Sequence, residues 1–119
     1  MKNKELGYFG EQTVCRYLES KGCRVVATNY CIRGGEIDII AEDGEHIIFV
    51  EVKTRRPDSM VGGLEAVTKN KQRLIIRTAE RYIYDYKPEL QPRFDVAEVI
   101  AENGRVVRLR YLKNAFIKE

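Results

Sequence analysis

Two stretches of the chain repeat apolar residues at the three- and four-residue spacing of an amphipathic helix. The first covers residues 3–21 and is followed by Gly22, a residue that commonly ends a helix. The second covers residues 64–86. We expect both helices to bury their apolar sides, with Tyr82 and Tyr86 of the second helix in the core.

Five shorter runs are rich in β-branched and other apolar residues and predict strands. They cover residues 23–27, 36–41, 46–54, 93–100 and 106–112. Asp43-Gly44 separates the second strand from the third, and Asn103-Gly104 separates the last two; both dipeptides favour tight hairpin turns. The order α-β-β-β-α-β-β predicts an α/β fold, with a central mixed five-stranded sheet flanked by helices in a single domain over residues 1–119.

Composition excludes several classes of protein. With 44% hydrophobic and 33% charged residues, the chain is too apolar for a disordered segment, and no apolar run reaches the ~20 residues that span a bilayer, so no membrane partner is expected. The net charge of +3 permits a nucleic-acid partner. The three cysteines, Cys15, Cys23 and Cys31, lack the spacing of a zinc site, so we expect them to pack as small residues in the core. Free cysteines also favour a cytoplasmic protein.

Acidic and basic residues interrupt two of the most apolar strands. Because side chains alternate along a strand, Glu51 and Lys53 share one face of the third strand. Glu36 and Asp38 likewise share one face of the second strand. A hairpin would bring these two charged faces side by side.

The predicted turn specifies how the charged residues meet. If Asp43-Gly44 occupies the centre of the turn, Glu36 lies directly opposite Glu51. Asp38 then lies diagonally next to Glu51, about 7–8 Å away at the backbone. Two carboxylates at that spacing are able to converge on one cation.

Unpaired charges inside a covered sheet cost several kcal/mol each, so a positive group is expected beside these carboxylates. Lys53 is one candidate, and a divalent cation is the other. Hard oxygen ligands suit Mg²⁺ or Mn²⁺. The alternative is an internal salt bridge on a partly exposed face of the sheet.

Asp38, a spacer and then Glu51-Val52-Lys53 resemble the PD-(D/E)xK nuclease core, although Ile37 stands where that core has proline. Further motifs resemble the YraN-like (UPF0102) family of small bacterial proteins across nearly the whole chain. These are Gly7, Gly10 and Glu11, residues 35–38, residues 49–55, Lys71 and residues 94–96. The resemblance implies a restriction-endonuclease-like fold related to archaeal Holliday-junction resolvases, and by analogy a homodimer.

The same resemblance implies roles for the charged residues. Asp38 and Glu51 would bind the metal, Mg²⁺ or Mn²⁺, with the carbonyl of Val52 as a third oxygen ligand. Lys53 would orient the attacking water or stabilise charge on the phosphate. Asp38, Glu51 and Lys53 are therefore the expected catalytic residues.

Two further glutamates leave alternatives open. Glu11 falls at the edge of the first helix's apolar stripe beside Gly7, and is either a metal ligand, as in the resolvases, or a surface residue. Glu36 is either an additional ligand or a neighbour of the ligands.

A series of basic residues suits the backbone of a nucleic acid, although a solvated helix face is the alternative. They are Arg55, Arg56, Lys69, Lys71, Arg73, Arg77 and Arg81. Lys71 lies near the apolar side of its helix and either points toward the sheet or extends outward to solvent.

Three functions compete. The first is a metal-dependent endonuclease acting on DNA, with branched or junction DNA as a candidate substrate. The second is a nucleic-acid-binding protein without catalysis. The third, a protein-interaction or nucleotide-binding domain, is the weakest, since the glycines of residues 33–36 lack the spacing of a phosphate-binding loop.

Overall fold

A computed structural model gives the structure of residues 2–58 and 67–119. Its elements are α1 (Asn3–Ser20), β1 (Arg24–Ile32), β2 (Gly35–Glu42), β3 (His46–Arg55), α2 (Lys69–Tyr86), β4 (Gln91–Glu102) and β5 (Arg105–Phe116). The predicted α/β class and element order are confirmed. Within the two described ranges, no helix has the length and apolar character needed to cross a membrane.

The five strands form one sheet in the order β1-β2-β3-β4-β5. β3 and β4 are parallel, and the other neighbouring pairs are antiparallel, so the sheet is mixed as predicted. Parallel neighbours require a crossover connection, and α2 lies in the connection between β3 and β4. This arrangement places β3, the strand with the candidate acidic and basic residues, at the centre of the sheet.

The helices cover opposite faces of the sheet. Val14 and Leu18 of α1 pack in one core cluster with Val50 of β3. Ile75 of α2 packs in a second cluster with Phe49 of β3. Because adjacent residues of one strand enter different clusters, the alternation of side chains divides the core into two layers.

The β2–β3 turn differs from the predicted one. Asp43 Oδ1 accepts hydrogen bonds from the backbone N–H groups of Glu45 (3.0 Å) and His46 (2.7 Å). The Asp43 N–H donates to the carbonyl oxygen of His46 at 3.2 Å, and Gly44 has a φ of +93°. Gly44 and Glu45 are therefore the central residues, so the predicted turn centre was one residue too early.

This turn changes the pairing of the two strands. Ile39 pairs with Val50, and continuing that register by one residue brings Asp38 across from Glu51. The prediction that Glu36 lies opposite Glu51 was wrong. The correction moves Asp38 from a diagonal to a direct position beside Glu51, which favours the convergence of these two carboxylates.

Several local predictions also need correction. β1 continues to Ile32 rather than ending at residue 27, and α2 begins at Lys69, after the N-cap Thr68. The predicted helical residues 64–66 lie outside the described residues. Tyr86 is 64% exposed although it stacks on Tyr82, so its predicted burial was wrong.

The cysteines do not all lie in the core. Cys15 is buried, Cys23 is half-buried, and Cys31 is exposed on β1. The predicted core position is therefore confirmed for Cys15 and wrong for Cys31.

Candidate active site

The candidate site lies where the backbone pairing of β2 and β3 ends. The ladder between these strands runs as far as Ile39 and Val50. Beyond that point, the N–H of Val52 donates a hydrogen bond of 2.7 Å to Asp38 Oδ2. A carboxylate thus takes the position that a strand carbonyl would otherwise occupy, and the bond fixes the side chain of Asp38 beside β3.

Glu51 is buried at this point and faces two lysines. Its Oε2 lies 3.7 Å from Nζ of Lys53 and 3.5 Å from Nζ of Lys71. The structure therefore confirms that Lys71 points from α2 toward the sheet. The side chains of both lysines are more than one third exposed, so this group of charges is open to solvent.

The pKa of Asp38 is raised to about 8. Burial is the largest cause, followed by the charge of Glu51; the hydrogen bond from Val52 opposes the rise. A side-chain hydrogen bond between Asp38 and Glu51 raises the pKa further. The two carboxylates are therefore close enough that one of them retains a proton near neutral pH.

Glu11 approaches the site from α1, on the other face of the sheet. Its Oε1 accepts a 3.1 Å hydrogen bond from Nδ2 of Asn29. The pKa of Glu11 is raised, chiefly by burial and also by the charges of Glu36 and Glu51. Since Glu11 is partly buried and the charges of these carboxylates raise its pKa, it lies at the margin of the site rather than on a remote surface.

Glu36 is exposed and pairs with Cys31 of the neighbouring strand β1. Across residues 2–58 and 67–119, no three His, Cys, Asp or Glu side chains approach closely enough to form a metal cluster. The structure thus brings Asp38 and Glu51 together, while Glu11 and Glu36 stay outside this pair. Val52, whose carbonyl is the expected third ligand, is tied to Asp38 through its own N–H.

Residues 10–99 match the uncharacterised protein family UPF0102. The chain belongs to this family. UPF0102 proteins of Alkaliphilus metalliredigens (46% identical, 96% of this chain and 99% of the relative) and Dictyoglomus thermophilum (41%, 98% and 100%) are similar over almost their full lengths. A relative from Chlorobium phaeobacteroides is 45% identical over 95% of this chain and 94% of its own. The predicted family is confirmed.

The basic residues predicted to bind nucleic acid have different partners in this UPF0102 chain. Apart from Lys71, those of α2 lie on exposed positions, and several have local partners. Arg77 donates to the carbonyl oxygen of Gly34 at 3.2 Å, and Arg81 pairs with Asp85 at 2.9 Å. Among the basic residues of α2, all of which lie within the described ranges, only Lys71 contacts the Asp38–Glu51 pair.

Three more of these residues follow β3 or lie in the first turns of α2. Arg56 donates to Oδ1 of Asn3 at 3.3 Å, and Lys69 pairs with Glu119 at 3.1 Å. Arg73 is exposed in the first turns of α2. These three residues therefore lie on the surface, separate from the carboxylate pair.

Sequence reasoning missed one of the buried carboxylates of this UPF0102 protein. Glu98 of β4 is fully buried and pairs with Arg55 (Nε to Oε2, 3.0 Å) and Arg110 (3.5 Å). The available signal was a glutamate within an apolar strand, at a position where an unpaired charge would be costly. Asp95 of the same strand is also fully buried and pairs with Arg93, whose Nη2 lies 2.9 Å from Oδ2 of Asp95.

Proposed function

We propose that this UPF0102 protein is a metal-dependent endonuclease that hydrolyses phosphodiester bonds in DNA, with branched or junction DNA as the candidate substrate. The observation that carries the proposal is the Asp38–Glu51 pair beside Lys53, at the point where β2 and β3 separate. This arrangement matches the order of groups in the PD-(D/E)xK core. It supports a restriction-endonuclease-like relationship for the fold.

The chemistry of the donor set fits a hard divalent cation. Asp38 has a raised pKa because it is buried and faces Glu51, so ionisation of both carboxylates is unfavourable unless a cation lies between them. Mg²⁺ and Mn²⁺ prefer such carboxylate oxygens. When bound, the ion would polarise a phosphate oxygen and lower the pKa of a water molecule.

The remaining groups of the site act on the substrate. Asp38 and Glu51 would hold the cation, with the Val52 carbonyl beside them. Lys53 and Lys71, both close to Glu51 and partly exposed, would orient a phosphodiester and stabilise the negative charge that develops on its oxygens. Lys71 adds a cation from α2 to the lysine of the strand motif.

The test is cleavage of labelled duplex, single-stranded and junction DNA in the presence of Mg²⁺ or Mn²⁺. We expect Asp38→Asn and Glu51→Gln to lose at least about 100-fold in rate, because each removes one carboxylate charge from the proposed metal site. Glu45→Gln, an exposed carboxylate of the same hairpin, is the matched control and should cut like the parent. Equal cutting by all three variants would show that the carboxylate pair is not the active site.

A nucleic-acid-binding function without catalysis is the second candidate. One observation favours it: both Lys53 and Lys71 already lie within 4 Å of the Glu51 carboxylate and compete with a cation for it. Salt-dependent DNA binding with no cleavage under any divalent ion would support this function over the nuclease.

A further inference from the structure

The sheet face beside the candidate site carries a row of charged side chains across three strands. Lys53 of β3 is in register with Glu98 of β4, and Glu98 is in register with Arg110 of β5. Residues directly opposite one another point to the same face, so these three side chains share the face of Glu51. The row leads from the lysine of the site toward the edge of the sheet.

A second row lies two residues farther along β3. Arg55 is in register with Ile100, and Ile100 with Arg108. Both arginines share the face of the first row because side chains repeat their direction every two residues. The two rows place cations on β3 and β5 on either side of β4.

Glu98 links the two rows. Its buried carboxylate pairs with Arg55 and Arg110, which fixes the position of one guanidinium from each flanking strand. Arg110 keeps 39% of its side chain exposed, and a guanidinium carries five N–H donors, so a pairing with Glu98 leaves donors for a second anion. Arg108 is exposed and has no ion pair within residues 2–58 and 67–119.

The charge and spacing of this face suit a phosphodiester backbone. Four cations (Lys53, Arg55, Arg108 and Arg110) against the carboxylates of Glu51 and Glu98 leave two net positive charges on this face. Neighbouring strands lie about 4.8 Å apart, so β3 and β5 are separated by about 10 Å. That distance equals the axial rise of about three nucleotides of one DNA strand.

We propose that Arg108 and Arg110 of β5 bind the phosphodiester backbone of DNA about three nucleotides from the phosphate that faces Lys53, and that Arg55 of β3 contacts the backbone on the Lys53 side of β4. The DNA strand would cross β4 at a steep angle to the strand direction. This inference rests on the proposed function, since it assumes a nucleic-acid substrate at the carboxylate pair. It assigns a DNA-binding role to β5, whereas the sequence analysis placed the candidate DNA-binding residues after β3 and on α2.

The primary test is the affinity of Arg108→Ala for a fluorescein-labelled DNA duplex and a labelled junction, measured by anisotropy in EDTA at several salt concentrations. One phosphate contact contributes about 0.9 to the slope of log affinity against log salt for duplex DNA. We therefore expect a slope smaller by about 0.9 and binding weaker by about tenfold at 0.1 M salt. Arg108→Ala removes no ion pair of the described residues, so the fold should persist.

A double variant and a matched control extend the test. Arg108→Ala/Arg110→Ala should lower the slope by about 1.8 and the affinity by about 100-fold at 0.1 M salt, with circular dichroism to check folding. Lys113→Ala is the control: Lys113 is exposed on β5 and follows Tyr111 by two residues, on the face that packs against α1. It should bind like the parent.

Three results would overturn the inference. Unchanged affinity and slope in Arg108→Ala would exclude this path while leaving the nuclease proposal intact if the parent still cuts DNA. An equal loss of DNA affinity in Lys113→Ala would show that binding depends on the overall charge of the protein and not on this face of the sheet. Failure of the parent to bind DNA at all, together with absence of cleavage, would remove the proposed function as well.

Discussion

Replacing Asp38 by asparagine removes the charge of one of two facing carboxylates and keeps the shape of the side chain. The amide oxygen can still accept the hydrogen bond from Val52, and the amide N–H groups can donate to Glu51. We therefore expect Asp38→Asn to be more stable than the parent at pH 8 in the absence of divalent ions. The same substitution should abolish cleavage, so stability and activity change in opposite directions.

The pKa of Asp38 determines the size and the sign of this effect. In the unfolded chain Asp38 has the ordinary pKa of 3.8, whereas in the folded chain it keeps its proton up to about pH 8. Between these values the folded state binds more protons than the unfolded state. The contribution of Asp38 to the free energy of unfolding is therefore fully present below pH 3.8 and is lost as the pH rises through about 8. At about 1.4 kcal/mol per pKa unit, the loss has an upper limit of about 6 kcal/mol.

The expected gain is smaller than this limit, because a neutral amide also loses hydration on burial. About 2–3 kcal/mol is expected at pH 8, equivalent to a rise in Tm of roughly 8–12 °C for a chain of this size. Urea unfolding at pH 5 and pH 8 in EDTA, for the parent and Asp38→Asn, measures the difference directly. Glu45→Gln, which alters an exposed carboxylate, should follow the parent at both pH values.

Adding Mg²⁺ or Mn²⁺ provides the second part of the assay. A cation that binds the folded parent raises its free energy of unfolding by mass action, and the Asp38→Asn variant should lack most of this increase. The reasoning would be refuted if Asp38→Asn were less stable than the parent at pH 8, or if both proteins showed the same dependence on pH.

Two further predictions concern packing around the site and the core. Gly10→Ala should destabilise the fold by about 1–3 kcal/mol in urea unfolding, because the added Cβ would overlap the side chain of Thr54 next to the site. Gly7→Ala is the control: open space surrounds its Cβ, so it should stabilise α1 by up to about 1 kcal/mol. Equal effects of the two substitutions would contradict the close contact at Gly10. Tyr111→Phe should cost about 1.5–3 kcal/mol, since it deletes the 2.6 Å hydrogen bond from the phenol to the fully buried Asp95 carboxylate, and an unchanged urea midpoint would contradict that role.

The elements of the fold could be predicted because their hydrophobic periods are strong. The apolar residues around Val14 and Leu18 repeat every three to four residues, as in a helix with one buried side. The run from Ile47 to Val50 is continuously apolar, as in a strand that is buried on both faces of a sheet. Element ends were less accurate, since they depend on single interactions. α2 starts after Thr68 because the Thr68 side chain accepts a hydrogen bond from the Lys71 N–H, a local bond that periodicity does not reveal.

The register of the β2–β3 hairpin could not be predicted for a similar reason. Asp43-Gly44 is compatible with either of two positions in a tight turn. The choice depends on the side chain of Asp43, which bonds two backbone N–H groups ahead of it and makes Gly44 the first central residue. With the turn shifted by one residue, continuing the ladder past Ile39 and Val50 places Asp38 rather than Glu36 across from Glu51, so one local bond determines which two carboxylates meet.

The irregularity of the sheet and the chemistry of the site have a common origin in Asp38. Its carboxylate satisfies the Val52 N–H where the strand ladder has ended, so the same side chain both completes the backbone hydrogen bonding of β3 and faces Glu51. An alanine at this position would remove a candidate ligand and also leave a partly buried N–H without its acceptor, at a cost of about 1–3 kcal/mol. Loss of cleavage in Asp38→Ala would therefore have two explanations. Asparagine retains the acceptor and removes only the charge, and for that reason it separates the role of the carboxylate in the reaction from its role in the fold.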